Sequence, residues 1–284
     1  MEVKKKNKEP AVAPEDARGT SAPAEPPATA PAPAKAAPTK AAAARAARTR
    51  MRVALFFLAF LFIPISAGLA RALAAVEREA GGGELLGMSA GLGMFLFGLM
   101  FFLLFFTAFR PSPKPYVAGH ELTHAMFAWL SGGRARNMRF VKNGGRIELS
   151  KCNVFILLSP YFLPFYVFLL LLLLAPVSTA VSLAAGADGE AANFFRGARA
   201  LAAGTAWGFH ACWTANALLQ RQSDLEEYGF FFSFHLVLAF NLLALCVVFW
   251  AISPTSAARF ASTAWGETSA TIMFIIDFIG KLAW

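Results

Sequence analysis

Cysteine is scarce in this chain. Its 284 residues hold three, Cys152, Cys212 and Cys246, far apart and without ligand or redox spacing, which excludes a disulfide framework, a cysteine zinc site and a Cys-x-x-Cys oxidoreductase. They read as free thiols. Charge is thin as well, at 15% of residues against 57% hydrophobic with 29 phenylalanines. It is missing from stretches too long for a water-soluble core: residues 86–109, 154–177 and 230–252 each meet the roughly 20 residues that cross a bilayer. Two weaker segments are 53–73, interrupted by Pro64, and 198–220, which carries His210 and Asn216. An all-α polytopic membrane protein with five to six membrane helices is expected, embedded in a lipid bilayer. A cleavable signal peptide is not evident, because the first apolar run begins only after a tail of about 50 residues. The first membrane segment is expected to act as its own targeting signal.

Acidic residues are outnumbered, 17 against 26 basic, for a net charge of +9. Much of the excess is local: residues 1–52 hold eleven basic and five acidic residues in an Ala/Pro-rich background such as Ala30-Pro31-Ala32-Pro33-Ala34-Lys35. Nothing there could repay the entropy of ordering, so 1–52 is expected to be a disordered tail and 53–284 the membrane domain. Arg45, Arg48, Arg50 and Arg52 adjoin a membrane segment and not a folded binding module, which favours a juxtamembrane tether at anionic lipid over a nucleic-acid arm.

Of the four histidines, two bracket a glutamate in Gly119-His120-Glu121-Leu122-Thr123-His124. His-Glu-x-x-His is the zinc-binding pattern of metallohydrolases. On a helix the two histidines lie one turn apart on one face, suited to one tetrahedral Zn²⁺ about 2 Å from each. Glu121, beside them, can take a proton from water activated by the metal and pass it to a leaving amine. The bland alternative pairs these groups inside a helix bundle by chance. An ionisable cluster in an apolar helix is costly without a metal or partner, and that favours the metal.

Arg110-Pro111-Ser112-Pro113-Lys114-Pro115 ends the preceding run, and Pro115 can open the next helix at its first position. That helix, 116–130, stops at Gly132-Gly133. Its length is roughly 24 Å, less than a full hydrocarbon core, so it is short or re-entrant. Residues 134–152 then carry Arg134, Arg136, Arg139, Lys142, Arg146 and Lys151 against Glu148, with Asn143-Gly144-Gly145 between two β-prone runs. This spacing predicts a β-hairpin. It is either a basic surface loop or an edge that pairs with an extended substrate. Pro160 and Pro164 predict a kink or break early in the next helix, and the freed backbone groups favour a cavity beside it. Residues 271–284 read as an interfacial helix or a partial span.

These residues resemble the site-2-type intramembrane zinc proteases. His120-Glu121-Leu122-Thr123-His124-Ala125, then Gly132-Gly133 and a hairpin with a Gly-Gly turn, are similar to that family's first block, and Ser159-Pro160 stands where the family commonly has a Gly-Pro step. Asn216 and Asp224 match its Asn-to-Asp spacing, although Leu219 replaces the family's proline and Ser223-Asp224-Leu225 its Leu-Asp-Gly. The resemblance covers about 115–245. It implies an intramembrane endopeptidase acting on membrane-anchored protein substrates, with Zn²⁺ held by His120, His124 and Asp224, and Glu121 as base. A catalytic zinc usually takes three protein ligands, and from the residues alone the third could be Asp224, His210, His235, Glu226 or Glu227. Asp224 is preferred because its charge offsets the metal's. Asn216 is then a candidate for steadying the oxyanion, and His210 a packing or substrate-side residue. The rival readings are a non-catalytic membrane scaffold, and a metal transporter using His120, His124 and His210.

The positive-inside rule places the tail and the hairpin in the cytoplasm. The helices from Val154 and from Ala198 then run out and back, which returns Asp224 to the side of the motif. If 53–73 and 86–109 both span, Arg110 is cytoplasmic and the motif helix re-enters. A non-spanning first segment would also remove the conflict.

Overall fold

The computed structural model describes residues 40–80, 89–141, 144–186, 189–220, 222–253 and 256–282. The chain divides into two units, residues 1–43 and 44–284. Of the first, only the opening turn of a helix is described, and every element beyond that turn belongs to the second. Most of the expected tail, the hairpin residue Asn143 and the loop residue Asp188 lie outside the described residues.

The described elements run α1 (Lys40–Ala80), α2 (Ala90–Phe109), α3 (Lys114–Leu130), β1 (Ala135–Val141), β2 (Gly144–Leu149), α4 (Val154–Phe162), α5 (Phe165–Ala185), α6 (Glu190–Leu219), α7 (Ser223–Glu227), α8 (Phe230–Ile252) and α9 (Ala257–Leu282). The protein is thus mostly helical, with a two-stranded antiparallel hairpin. Among the described residues four helices are long and apolar enough to cross a membrane: Lys40–Arg78 of α1, α2, α5 and α8. On α5, Leu172 is 71% and Leu183 82% exposed, a surface suited to lipid and not to water.

α1 corrects the expected tail boundary. Residues 40–52 are helical, because after Pro38 the sequence turns to alanine, the best helix former, and continues without proline into the apolar segment. Pro64 lies inside α1 without ending it, as prolines in membrane helices can. α2 opens on Ser89, whose hydroxyl accepts from Leu92 N at 3.1 Å, and closes at Arg110 in the left-handed region. α3 begins at Lys114, one residue before Pro115. It closes with Gly132 at φ 68° and Gly133 N donating to Ala128 O at 2.7 Å, a glycine-ended helix stop.

The hairpin pairs Arg136 with Glu148 and Arg139 with Arg146, with an irregularity between. There Asn137 takes φ 51° and its amide donates to Glu148 Oε2 at 2.8 Å, as at a bulge. The apolar run 154–177 is two helices. α4 opens on Asn153, which caps Ile156 N, and ends at Leu163, because the residue before Pro164 is pushed out of helical geometry. α4 is the most enclosed element: Ile156, Leu158 and Tyr161 are fully buried.

α6 is too polar to count among the four apolar helices, yet it occupies the interior. Ala200, Ala203, Gly204, Trp207, His210, Trp213 and Ala217 are all buried, one face at helical spacing. It packs backbone to backbone on α2: a Cβ on Gly204 would overlap the Phe95 carbonyl, and one on Gly98 the Leu201 carbonyl, the close approach that small residues permit. Rings pair in register, Phe95 with Trp207, Phe102 with Phe209 and Phe106 with Trp213, so α2 and α6 run parallel. Residues 271–282 belong to a longer helix, α9, which leaves Trp265, Phe274 and Phe278 exposed.

Candidate metal centre

α3 carries the motif against α4. Gly119 faces the Tyr166 ring, 2.8 Å from where a Cβ would stand, and Tyr166 donates its hydroxyl proton to Pro115 O at 2.6 Å. With the first turn seated in this way, His120 and His124 project together and their Nε2 atoms lie 3.2 Å apart. His124 Nδ1 lies 2.7 Å from Ile156 O. A carbonyl only accepts, so Nδ1 carries the proton and Nε2 keeps its lone pair, the orientation a metal ligand needs. His120 Nδ1 is buried without a hydrogen-bond partner.

Asp224 comes from the other end of the chain's interior. α6 stops at Leu219, and the chain turns into α7, whose Leu225 is 1% exposed and whose Leu225 carbonyl accepts from Ser233 Oγ at 2.9 Å. This sets Asp224 Oδ2 3.9 Å from His120 Nε2 and 3.8 Å from His124 Nε2. The Tyr161 hydroxyl donates to the same oxygen at 3.2 Å. Asp224 therefore does not cap α8, whose N-cap is Gly229.

The donor set fits a tetrahedral ion. Bonds of about 2.0 Å at tetrahedral angles put neighbouring ligand atoms roughly 3.3 Å apart. The imidazole pair meets that spacing and the carboxylate is about half an ångström looser. Two neutral imidazoles and one carboxylate with an adjoining cavity is also the composition of an open zinc site.

Glu121 is 6% exposed, and its carboxyl group rests against Gly145 of β2, where any Cβ would overlap it. A cavity of about 790 Å³ adjoins the group, lined by His120, Glu121, His124, Asp224, Asn216 and Arg146 among others.

The structure thus brings His120, His124 and Asp224 within 4.8 Å of one another, the one such potential metal-binding group among the described residues, with Glu121 and Asn216 on the same cavity. It does not bring His210 there. His210 is buried on α6, its Nε2 3.2 Å from Asn241 Oδ1, and Asn241 in turn donates to Tyr161 O at 2.9 Å. His210 lies within α6 and Asp224 in α7 beyond its end, and the two serve different partners. His235 Nδ1 donates to Phe231 O at 2.8 Å. The Glu227 carboxylate pairs with Arg48 at 3.1 Å. Three contributors were not foreseen: Tyr161, Gly145 and the Ile156 carbonyl. Gly145 read as a turn residue, and nothing local marks a tyrosine or a carbonyl as a neighbour of a ligand.

No family model, curated protein or solved structure matches this chain. The geometry of the site carries the functional argument.

Proposed function

We propose that this protein is an intramembrane zinc metalloendopeptidase of the site-2 type, hydrolysing peptide bonds of membrane-anchored protein substrates. The observation that carries the reading is the convergence of His120 Nε2, His124 Nε2 and Asp224 Oδ2 beside the buried Glu121. His120, His124 and Asp224 would hold the zinc. Bound there, zinc would supply a Lewis acid that polarises the scissile carbonyl and activates water. Glu121 takes the proton of the attacking water on its carboxylate and hands it to the departing amine. Asn216, which lines the same cavity, has an amide that can donate to the developing oxyanion. His210, buried against Asn241, is a packing or substrate-side residue.

Six membrane segments follow from this reading: α1, α2, α5, α6 and α8 crossing, and α3 re-entering. Support for re-entry comes from Tyr116 stacking on Trp213, the ring that also meets Phe106 near the end of α2. α3 thus begins where α2 ends and carries its histidines at that same end of the bundle. The basic hairpin lies against that end, which supports a cytoplasmic orientation under the positive-inside rule.

A non-catalytic scaffold or a metal transporter would bind the ion without hydrolysis, and neither needs a carboxylate beside the first ligand. The test is metal content of the purified protein together with cleavage of a model transmembrane substrate in liposomes. About one zinc per chain, with cleavage that a chelator abolishes and added zinc restores, is the expected result. Bound metal without cleavage favours the rivals, and absence of metal overturns the site.

A further inference from the structure

The basic residues ahead of the first apolar segment are not all turned to lipid. Arg48 and Arg52 lie one turn apart on one face of α1, and both reach α7. Arg52 Nη2 donates to Glu226 O at 2.5 Å and its Nε to Glu227 O at 3.2 Å. Arg48 Nη2 stands 3.1 Å from Glu227 Oε1.

α7 is five residues long, Ser223–Glu227, far below the length at which a helix holds itself. It is bounded by the end of α6 on one side and by Gly229 at φ 92° on the other. Its front and middle are secured by Leu225 in the core, by Ser233 and by Tyr161. Its C-terminal carbonyls are the groups a helix leaves unpaired. Glu226 O receives Gly229 N at 3.2 Å, and the Arg52 guanidinium closes both Glu226 O and Glu227 O with one rigid fork. The cation also meets the negative end of the turn. The Arg48–Glu227 pair is solvent-exposed on both sides and contributes little by itself. The Arg52 bonds are exposed as well, but a two-bond fork onto backbone carbonyls holds the turn where a single side-chain ion pair does not, so they carry the contact.

We infer that Arg52 is a positioning residue for Asp224: its guanidinium fixes the end of the turn that carries the third ligand, tying the juxtamembrane segment to the metal centre. The inference rests on the proposed zinc site for its functional meaning, but the clamp itself is a property of the backbone at 223–229.

The test uses the full chain in lipid nanodiscs with Arg52→Ala, Arg52→Lys and Arg50→Ala. Arg50 lies on the opposite face of α1 at helical spacing, so its loss removes the same charge without touching α7. Two quantities are read: the zinc dissociation constant by chelator competition, and backbone amide exchange of 223–229. Arg52→Ala is expected to weaken zinc roughly tenfold, the scale of losing an outer-shell partner, and to speed exchange at 223–229. Arg52→Lys, which reaches one carbonyl only, falls between, and Arg50→Ala matches wild type in both. Equal shifts in Arg52→Ala and Arg50→Ala would make this a lipid-charge effect and overturn the inference, as would unchanged exchange in Arg52→Ala. Should the wild-type chain bind no zinc, the proposed function fails, and the exchange arm still decides the clamp.

Discussion

Asp224 supplies, from a separate element, a carboxylate oxygen that faces the Nε2 atoms of both histidines. Asp224→Ala should weaken zinc at least roughly 100-fold, beyond the usual loss from an indirect partner. His210→Ala should leave zinc content unchanged. It should instead lower stability by about 1–3 kcal/mol, because Asn241 Oδ1 loses a buried donor. Metal analysis and thermal unfolding of the two variants separate these outcomes, and the reverse zinc result would move the ligand role to His210. Gly145 is the second residue on which the site turns. With Gly145→Ala the new methyl group and the Glu121 carboxyl cannot both keep their places, so turnover should fall while zinc is retained, at a stability cost of about 1–3 kcal/mol from overpacking. Turnover at the wild-type level would mean that β2 yields freely and that its approach to Glu121 has no catalytic weight.

At the scale of elements, the α2–α6 contact is the joint that holds α6, which leads directly into the turn bearing Asp224. Gly204→Leu should force the two backbones apart and destabilise the fold by about 3 kcal/mol or more. Gly197→Leu, on the same helix with only Met94 at 3.9 Å nearby, should change little, and equal unfolding temperatures for the two variants would contradict the close-packed joint. How legible such elements were depended on the range of their causes. The α3 motif, the hairpin and the break at Leu163 were readable because each is written in adjacent residues: His-Glu-x-x-His spacing, Asn-Gly-Gly, and a proline that bars the helix before it. The helix over 40–52 was hidden by pooling its alanines with the proline-rich stretch upstream. α6 read as a weak span because an enclosed helix needs small and polar residues where a lipid-facing one needs apolar bulk. The approach of Gly145 to Glu121 and the Arg52 contact, 174 residues from Glu226 in sequence, arise only from the tertiary fold, and no local pattern announces them.

For the molecule as a whole, the proposed topology puts the hairpin, α7 and the start of α1 on one side, with the α5–α6 connection on the other. Single cysteines at Arg139, Gln222 and Glu190 in a background without Cys152, Cys212 and Cys246 should label from the cytoplasmic face at the first two positions and from the opposite face at the third. Labelling of 139 and 222 from opposite faces would break both the topology and the shared metal site. The central claim is that these parts form a hydrolytic site with Glu121 as its base, and a single substitution tests it. Glu121→Gln keeps the shape of the side chain and removes its basicity. In liposomes with a model transmembrane substrate, the variant should hold as much zinc as wild type and cleave roughly 10²–10⁴ times more slowly. Cleavage near the wild-type rate, with zinc retained, would contradict the account.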